Sequence, residues 1–149
     1  MRLANNNDIE QLSKLRILQQ KDDWNEEYED KYDLYNITYN FLDNHLNKDL
    51  FIFIKEHNND IVATCGIQII EYLPQCNDNG KQGFICNVFT KKEYRKKGIQ
   101  TKLLNEVISF AKDNNLCELS LSTDNEQAIR IYKRLGFKFD NLNMILKID

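Results

Sequence analysis

Apolar positions along the chain change period several times, and the changes predict a mixed series of helices and strands. Arg2, Leu3 and Ala4 suit a short opening strand. Asn7 and Glu10 have the spacing of a reciprocal cap that opens a helix with Ile9, Leu12, Leu15 and Leu18 facing inward. From 28 to 47, Tyr28, Tyr32, Tyr35, Tyr39, Leu42 and Leu46 recur at steps of three and four, the mark of one helical face. Residues 50–54 and 61–70 read as strands, joined through a hairpin turn at Asn58-Asn59-Asp60. A loop spans 74–83, and 84–90 is again a strand. Ile99, Leu103, Leu104, Val107, Ile108 and Ala111 describe an amphipathic helix that closes near Asn114 and Asn115. Leu119 and Leu121 alternate with polar neighbours as a half-buried strand does. A short helix carrying Ala128, Ile129, Tyr132 and Leu135 is capped at Asp124 or Asn125 and stops at Gly136. Phe137 and Phe139, then Leu142, Met144, Leu146 and Ile148, alternate as closing strands. The order predicts an α/β (α+β) fold, a single domain over 1–149, with about four helices.

Composition narrows the class. At 149 residues and 42% hydrophobic the chain can bury a core, and no apolar run approaches the ~20 residues of a membrane span. No charged segment leads into a long apolar stretch at the N-terminus, so no secretion signal is read and the expected location is cytoplasmic. Cys65, Cys76, Cys86 and Cys117 lack C-x-x-C spacing and neighbouring histidines, which predicts reduced, buried thiols and no metal site. Charge is divided unevenly. Residues 1–83 hold 8 Lys/Arg against 15 Asp/Glu, a net of −7, and residues 84–149 hold 12 against 8, a net of +4. Such an asymmetry points to partners of opposite sign at the two ends. The acidic balance, and the lack of aromatics interleaved with the basic segment 91–97, argue against nucleic-acid binding. No Gly-x-x-x-x-Gly-Lys occurs, which excludes a P-loop.

The strand 84–90 runs through Lys91, Lys92, Glu93 and Tyr94 into Arg95-Lys96-Lys97-Gly98-Ile99-Gln100-Thr101, where the next helix starts. A helix start exposes unpaired backbone N–H groups and the positive end of the dipole, so it forms an anion site. Gly98 lets a phosphate approach where a Cβ would obstruct it, and the surrounding cations add charge. The implied ligand is a diphosphate.

This arrangement resembles the GNAT superfamily of acetyl-coenzyme A-dependent N-acetyltransferases, whose pyrophosphate loop reads Gln/Arg-x-x-Gly-x-Gly/Ala. Arg95 and Gly98 match, and Gln100 stands where the family has a small residue. The family's next motif, Asn-x-x-Ala-x-x-x-Tyr-x-x-x-Gly-Phe, is matched throughout by Asn125, Ala128, Tyr132, Gly136 and Phe137. Pro74, Asn77 and Gly80 resemble the Pro-x-x-Asn-x-x-Gly loop of small bacterial members. The resemblance implies a mostly antiparallel central sheet with a splayed pair of parallel strands. It implies that acetyl-coenzyme A is held by Val88, Phe89 and Thr90 along the pantetheine arm and by Arg95, Lys96, Lys97, Gly98, Ile99, Gln100 and Thr101 at the pyrophosphate. Asn125 and Tyr132 complete the cofactor contacts. Gln100 leaves the main-chain contact available and is expected to tighten the passage between helix and cofactor.

By the same resemblance Tyr132 lies near the cofactor sulfur and acts as general acid toward the departing thiolate. The glutamate that some members use as base corresponds to Phe84, which cannot take a proton; a water chain or another carboxylate, with Glu71 the weakest of guesses, would replace it. The acidic stretch of residues 22–39, with Trp24 and the tyrosines, is the expected acceptor side. It suits a cationic small molecule or peptide amine, although a helix dipole alone favours acids at that place. His45 and His57 read as surface residues. The alternative function is a sensor that binds acetyl-coenzyme A and catalyses nothing. A homodimer is compatible with the family.

Overall fold

The computed structural model describes residues 1–24 and 29–148. Its order is β1 (Arg2–Leu3), α1 (Ile9–Trp24), α2 (Leu34–His45), β2 (Leu50–His57), β3 (Asp60–Glu71), β4 (Lys81–Thr90), α3 (Ile99–Asp113), β5 (Glu118–Ser120) and α4 (Glu126–Arg134), with 3₁₀ turns at Asn6–Asp8 and Lys92–Tyr94. The five strands lie in chain order. β1 to β4 are antiparallel, and β5 joins β4 in parallel after the α3 crossover.

Alternation along the strands divides the core in two. Ile52, Ile54, Ile61 and Phe89 pack with Ile9, Leu12, Leu15, Leu42 and Leu46 of α1 and α2. Phe53, Ala63, Cys65, Ile67 and Ile85 pack with Leu103, Leu104, Val107 and Ala111 of α3 and with Tyr132 of α4. Alternation sends Ile52 and Ile54 to one side of the sheet and Phe53 to the other, while register shifts at Val62 and at Asn87-Val88 turn Ile61 and Phe89 to the face opposite Ala63 and Ile85. The β2–β3 hairpin turns at Asn58 and Asn59, whose φ angles of 50 and 62° suit a two-residue turn that asparagine tolerates.

Two features of β4 shape its C-terminal end. Its register against β3 passes from Gly66↔Cys86 to Thr64↔Phe89, so Asn87 and Val88 together oppose Cys65 in a β-bulge. Its parallel ladder with β5 covers only Gln82 to Phe84. At that end β5 sits close because residue 83 is glycine; a Cβ there would lie 2.6 Å from Ile67 Cδ1 and 2.7 Å from Leu119 Cδ2. Beyond it the two strands part.

Several expectations need correction. The first helix is opened by Asn5, whose Oδ1 accepts from Asn7 N–H while Asp8 accepts from Asn5 N–H. Glu10 pairs with Lys14 instead. Leu18 is 45% exposed, although Gln19 beside it is buried, and it lines a surface cavity instead of the core. α2 begins at Leu34 rather than near 28, since Asp33 turns the chain through a left-handed φ of 53° and caps the helix. Tyr28, Glu26 and Glu27 lie outside the described residues. Tyr32 and Tyr39 are exposed and Tyr35 is half-buried, so among the described residues only Leu42 and Leu46 of the stripe are fully inward. The closing strands are absent. Asp140 Oδ1 accepts from Leu142 N–H, a local turn that competes with a ladder, and Phe139, Leu142, Met144, Leu146 and Ile148 are exposed. Cys65 is buried and Cys86 partly so, whereas Cys76 and Cys117 are exposed; all four are free thiols.

Arg2 ties the first elements together, donating to both Asp8 oxygens at 2.8 and 2.9 Å and to both Glu56 oxygens at 2.7 and 3.0 Å. Its guanidinium holds the Asp8 carboxyl below the usual value of 3.8. A depressed pKa contributes stability above the ordinary value, which is lost as pH falls through the folded one. Asp8→Ala is expected to destabilise the fold by about 1–3 kcal/mol at neutral pH. In denaturant titrations its difference from the parent protein shrinks as pH drops below 3.8.

Candidate functional site

The chain leaves β4 through a 3₁₀ turn and enters α3 at Gly98. Gly98 adopts φ 71°, a left-handed value, and a Cβ built there meets nothing within 4 Å. The constraint on this residue is therefore backbone conformation, with open space in front of it. No side chain caps the helix, so the N–H groups of its first turn remain available to a ligand. An uncapped helix start facing open space fits a diphosphate.

The end of β4 is held in an unusual way. Four consecutive carbonyls each accept from a side chain. Thr64 Oγ1 donates to Asn87 O at 2.7 Å, Gln19 Nε2 to Val88 O at 3.1 Å, Gln100 Nε2 to Phe89 O at 2.8 Å, and Arg95 Nε to Thr90 O at 2.8 Å. Gln19 is itself buried and its Oε1 accepts from Arg16 at 3.0 Å. Gln100 Nε2 also lies 3.0 Å from Thr64 O and 2.9 Å from Thr90 Oγ1, so its two hydrogens are shared among three acceptors. Its side chain is thus turned onto the sheet, away from the first-turn amides, and does not narrow the passage in front of them.

Most of the expected cations look elsewhere. Arg95 pairs with Asp22 of α1 at 2.5 Å, Lys92 with the same carboxylate at 3.1 Å, and Lys91 with Asp60 at 2.6 Å. Lys97 donates to Glu93 O at 3.1 Å and lies over the Tyr94 ring. Lys96 is exposed at φ 60°. The two cations hold the Asp22 carboxyl below its usual range, Arg95 contributing most. Beside it Asp23 is pushed up, first by desolvation and then by Asp22, with Asp124 ahead of α4 acting in the same direction. A cavity of about 380 Å³ opens on this side, lined among others by Leu18, Asp22, Phe89, Lys92 and Arg95.

On the other face Tyr132 is 7% exposed and stands in the same apolar cluster as Val88, Ile99, Leu103 and Cys65. Its ring meets Phe137 edge-on at 5.7 Å, and among the described residues its hydroxyl has no hydrogen bond. Burial pushes the phenol up to about 12, so it is protonated throughout the neutral range. Asn125 caps α4, its Oδ1 accepting from Ala128 N–H at 3.0 Å. Burial likewise raises the Cys65 thiol to about 12 and the Cys86 thiol to about 11, which leaves both inert.

Glu71 faces Lys81 in the strand register. Seven residues separate it from Thr64, roughly 23 Å along the strand, so it is a surface residue remote from the bulge. Phe84 sits where the β4–β5 ladder ends, opposite Ser120. No group of three or more His, Cys, Asp or Glu is placed to hold a metal among the described residues, and no described helix is long and apolar enough to cross a membrane.

Comparison with known proteins meets this geometry. Residues 10–137 match the acetyltransferase (GNAT) family. The chain belongs to the GNAT family. The fold of this GNAT protein superimposes with a TM-score of 0.88 on a predicted acetyltransferase from Clostridium acetobutylicum solved with acetyl-CoA, at 30% identity over 98% of this chain and 94% of that one. A GCN5-related N-acetyltransferase from Ralstonia eutropha shares the fold at a TM-score of 0.76 and 21% identity, over 99% of this chain and 96% of that one. A probable spermine N(1)-acetyltransferase from Bacillus subtilis subsp. natto is 30% identical over 80 residues, covering 50% of this chain and 53% of its own. N-alpha-acetyltransferase 30 of Schizosaccharomyces pombe is 41% identical over 58 residues, covering 38% and 39%. The GNAT chain thus spans no more than about half the length of these curated relatives.

Thr64, Gln19 and the Asp22–Arg95 pair escape sequence reasoning, because their partners lie 23, 69 and 73 residues away and no local pattern marks them. Gly98→Val must adopt the left-handed backbone and is expected to cost about 1–2 kcal/mol of stability, read from urea denaturation. An unchanged midpoint would contradict the positive φ.

Proposed function

We propose that this protein transfers an acetyl group from acetyl-coenzyme A to an amine. One juxtaposition carries the reading: an uncapped, glycine-opened helix start beside a β4 edge that β5 has left, with the Tyr132 phenol in the cluster that lines both. In this reading the amides of residues 98 to 101 hold the diphosphate. The edge of Val88 to Thr90 that β5 leaves uncovered aligns the pantetheine arm as an added strand would. When bound, acetyl-coenzyme A supplies an acetyl group activated as a thioester.

The chain's own groups then divide the work. Amides near the bulge polarise the carbonyl under attack. Tyr132, kept as a phenol by burial, donates its proton to the departing sulfur. The acceptor amine, with an ordinary pKa near ~10, must first lose a proton. Asp23, on the exposed end of α1 with its carboxyl raised by desolvation and by Asp22, is the base this reading assigns. The acceptor enters there, and the neighbouring carboxylates Asp23 and Asp124 favour a cationic substrate such as a polyamine or a peptide amine. The spermine and N-alpha-acetyl relatives support that class. A screen in which only neutral or anionic amines react would contradict it.

Tyr132→Phe keeps the ring and removes the proton. Turnover is expected to fall by about 10²–10⁴ with acetyl-coenzyme A affinity little changed; unaltered turnover would remove Tyr132 from the chemistry. The phenol is lost only as pH rises through about 12. The parent enzyme's kcat/KM should therefore rise with pH as the amine deprotonates, with no alkaline decline below pH ~10. Consumption of the thioester in the presence of an amine panel separates an enzyme from a silent sensor.

A further inference from the structure

We propose that the Gln100 side chain is a positioning residue that fixes the spacing between the diphosphate-binding helix start and the pantetheine-binding edge of β4. The proposal rests on acetyl-coenzyme A being the ligand of this site and deepens that reading.

Gln100 is the second residue of α3, so its main chain lies within the amide cradle while its side chain reaches back beneath the helix. There the amide nitrogen lies 3.0 Å from Thr64 O, 2.8 Å from Phe89 O and 2.9 Å from Thr90 Oγ1. Thr64 and Phe89 face each other across the β3–β4 register, immediately beyond the bulge. One side chain from the first helical turn therefore grips both strands at the point where β4 bends. From the same pair, Thr64 Oγ1 reaches around the bulge to Asn87 O at 2.7 Å. Helix start and strand end become one rigid unit through Gln100.

The residue carries a visible cost. Its Oε1 is buried without a hydrogen-bond partner among the described residues, and a buried polar atom left unpaired is unfavourable. An alanine would carry no such cost, nor would it bridge the strands. The amide nitrogen is what the position uses. Since the side chain faces the sheet, it does not compete with a ligand for the first-turn amides.

A ligand that spans two subsites gains from having them held at the matching distance, because the second contact then forms within one complex. With the strut lost, Thr64, Gln19 and Arg95 still hold the other three β4 carbonyls, so the main loss is the fixed relation between the two subsites. Gln100→Met keeps the volume of the side chain and removes its hydrogen bonds; Gln100→Ala removes both, and the methionine variant decides if alanine fails to fold. Affinities are measured by titration with three probes: 3′-phosphoadenosine diphosphate, acetyl-pantetheine and whole acetyl-coenzyme A. Both fragments are expected to bind each variant within about twofold of the parent protein, while acetyl-coenzyme A weakens by roughly 5- to 150-fold. The proposal is overturned if acetyl-coenzyme A binds Gln100→Met as it binds the parent. Equal weakening of fragments and whole overturns it too, since that pattern reports damage to a subsite. A parent protein that binds none of the three defeats the acetyltransferase reading itself.

Discussion

Where β4 bulges at Asn87 and Val88 and parts from β5, its backbone loses the regular partners that a strand supplies. Buried peptide groups need hydrogen bonds, and here they are found outside the ladder. β3 sends Thr64, α1 sends Gln19, the turn sends Arg95 and α3 sends Gln100, one to each carbonyl from Asn87 to Thr90. Each bond is worth only about 0.5–1.5 kcal/mol net. Together they make four separate elements converge on one short stretch of backbone and fix its shape before any ligand arrives. A site whose supporting shell is locked in this way is preorganised.

The same convergence explains the charge distribution. The acidic first half and basic second half, −7 against +4, meet along a seam where Asp22 takes Arg95 and Lys92, and Asp60 takes Lys91. Part of the asymmetry is therefore neutralised inside the molecule, closing α1 and the β2–β3 turn onto the exit of β4. Exposed pairs of this kind contribute little to stability. Their effect is to tie the last turn of α1 to the turn that follows β4.

Periodicity in the sequence is enough for the β2–β3 hairpin and for α3, because those elements bury continuous apolar faces; the mostly antiparallel sheet is legible only through the family resemblance. Gly98 and the Asn125-to-Phe137 motif are legible because local backbone rules act within a few residues: a left-handed start for one helix and an Asx cap for the other. The tyrosine stripe misleads, since the spacing fits a buried face but Tyr32 and Tyr39 lie outside the sheet's cover. The tail from Phe139 to Ile148 misleads for a related reason. Alternation is not sufficient for a strand without an edge to pair with, and β5 offers only three residues. Gln100 reads as an obstruction in the motif because side-chain direction is set by tertiary contacts that no motif records.

Amide hydrogen exchange with and without coenzyme A reads out whether the start of α3 and the end of β4 hold the ligand together. Exchange is expected to slow at the first-turn amides of α3, Ile99 to Thr101, and along Val88 to Thr90, with the far ends of β3 and β4 unchanged. Exchange that stays the same in these two stretches, or protection that appears elsewhere instead, would contradict a ligand held between them.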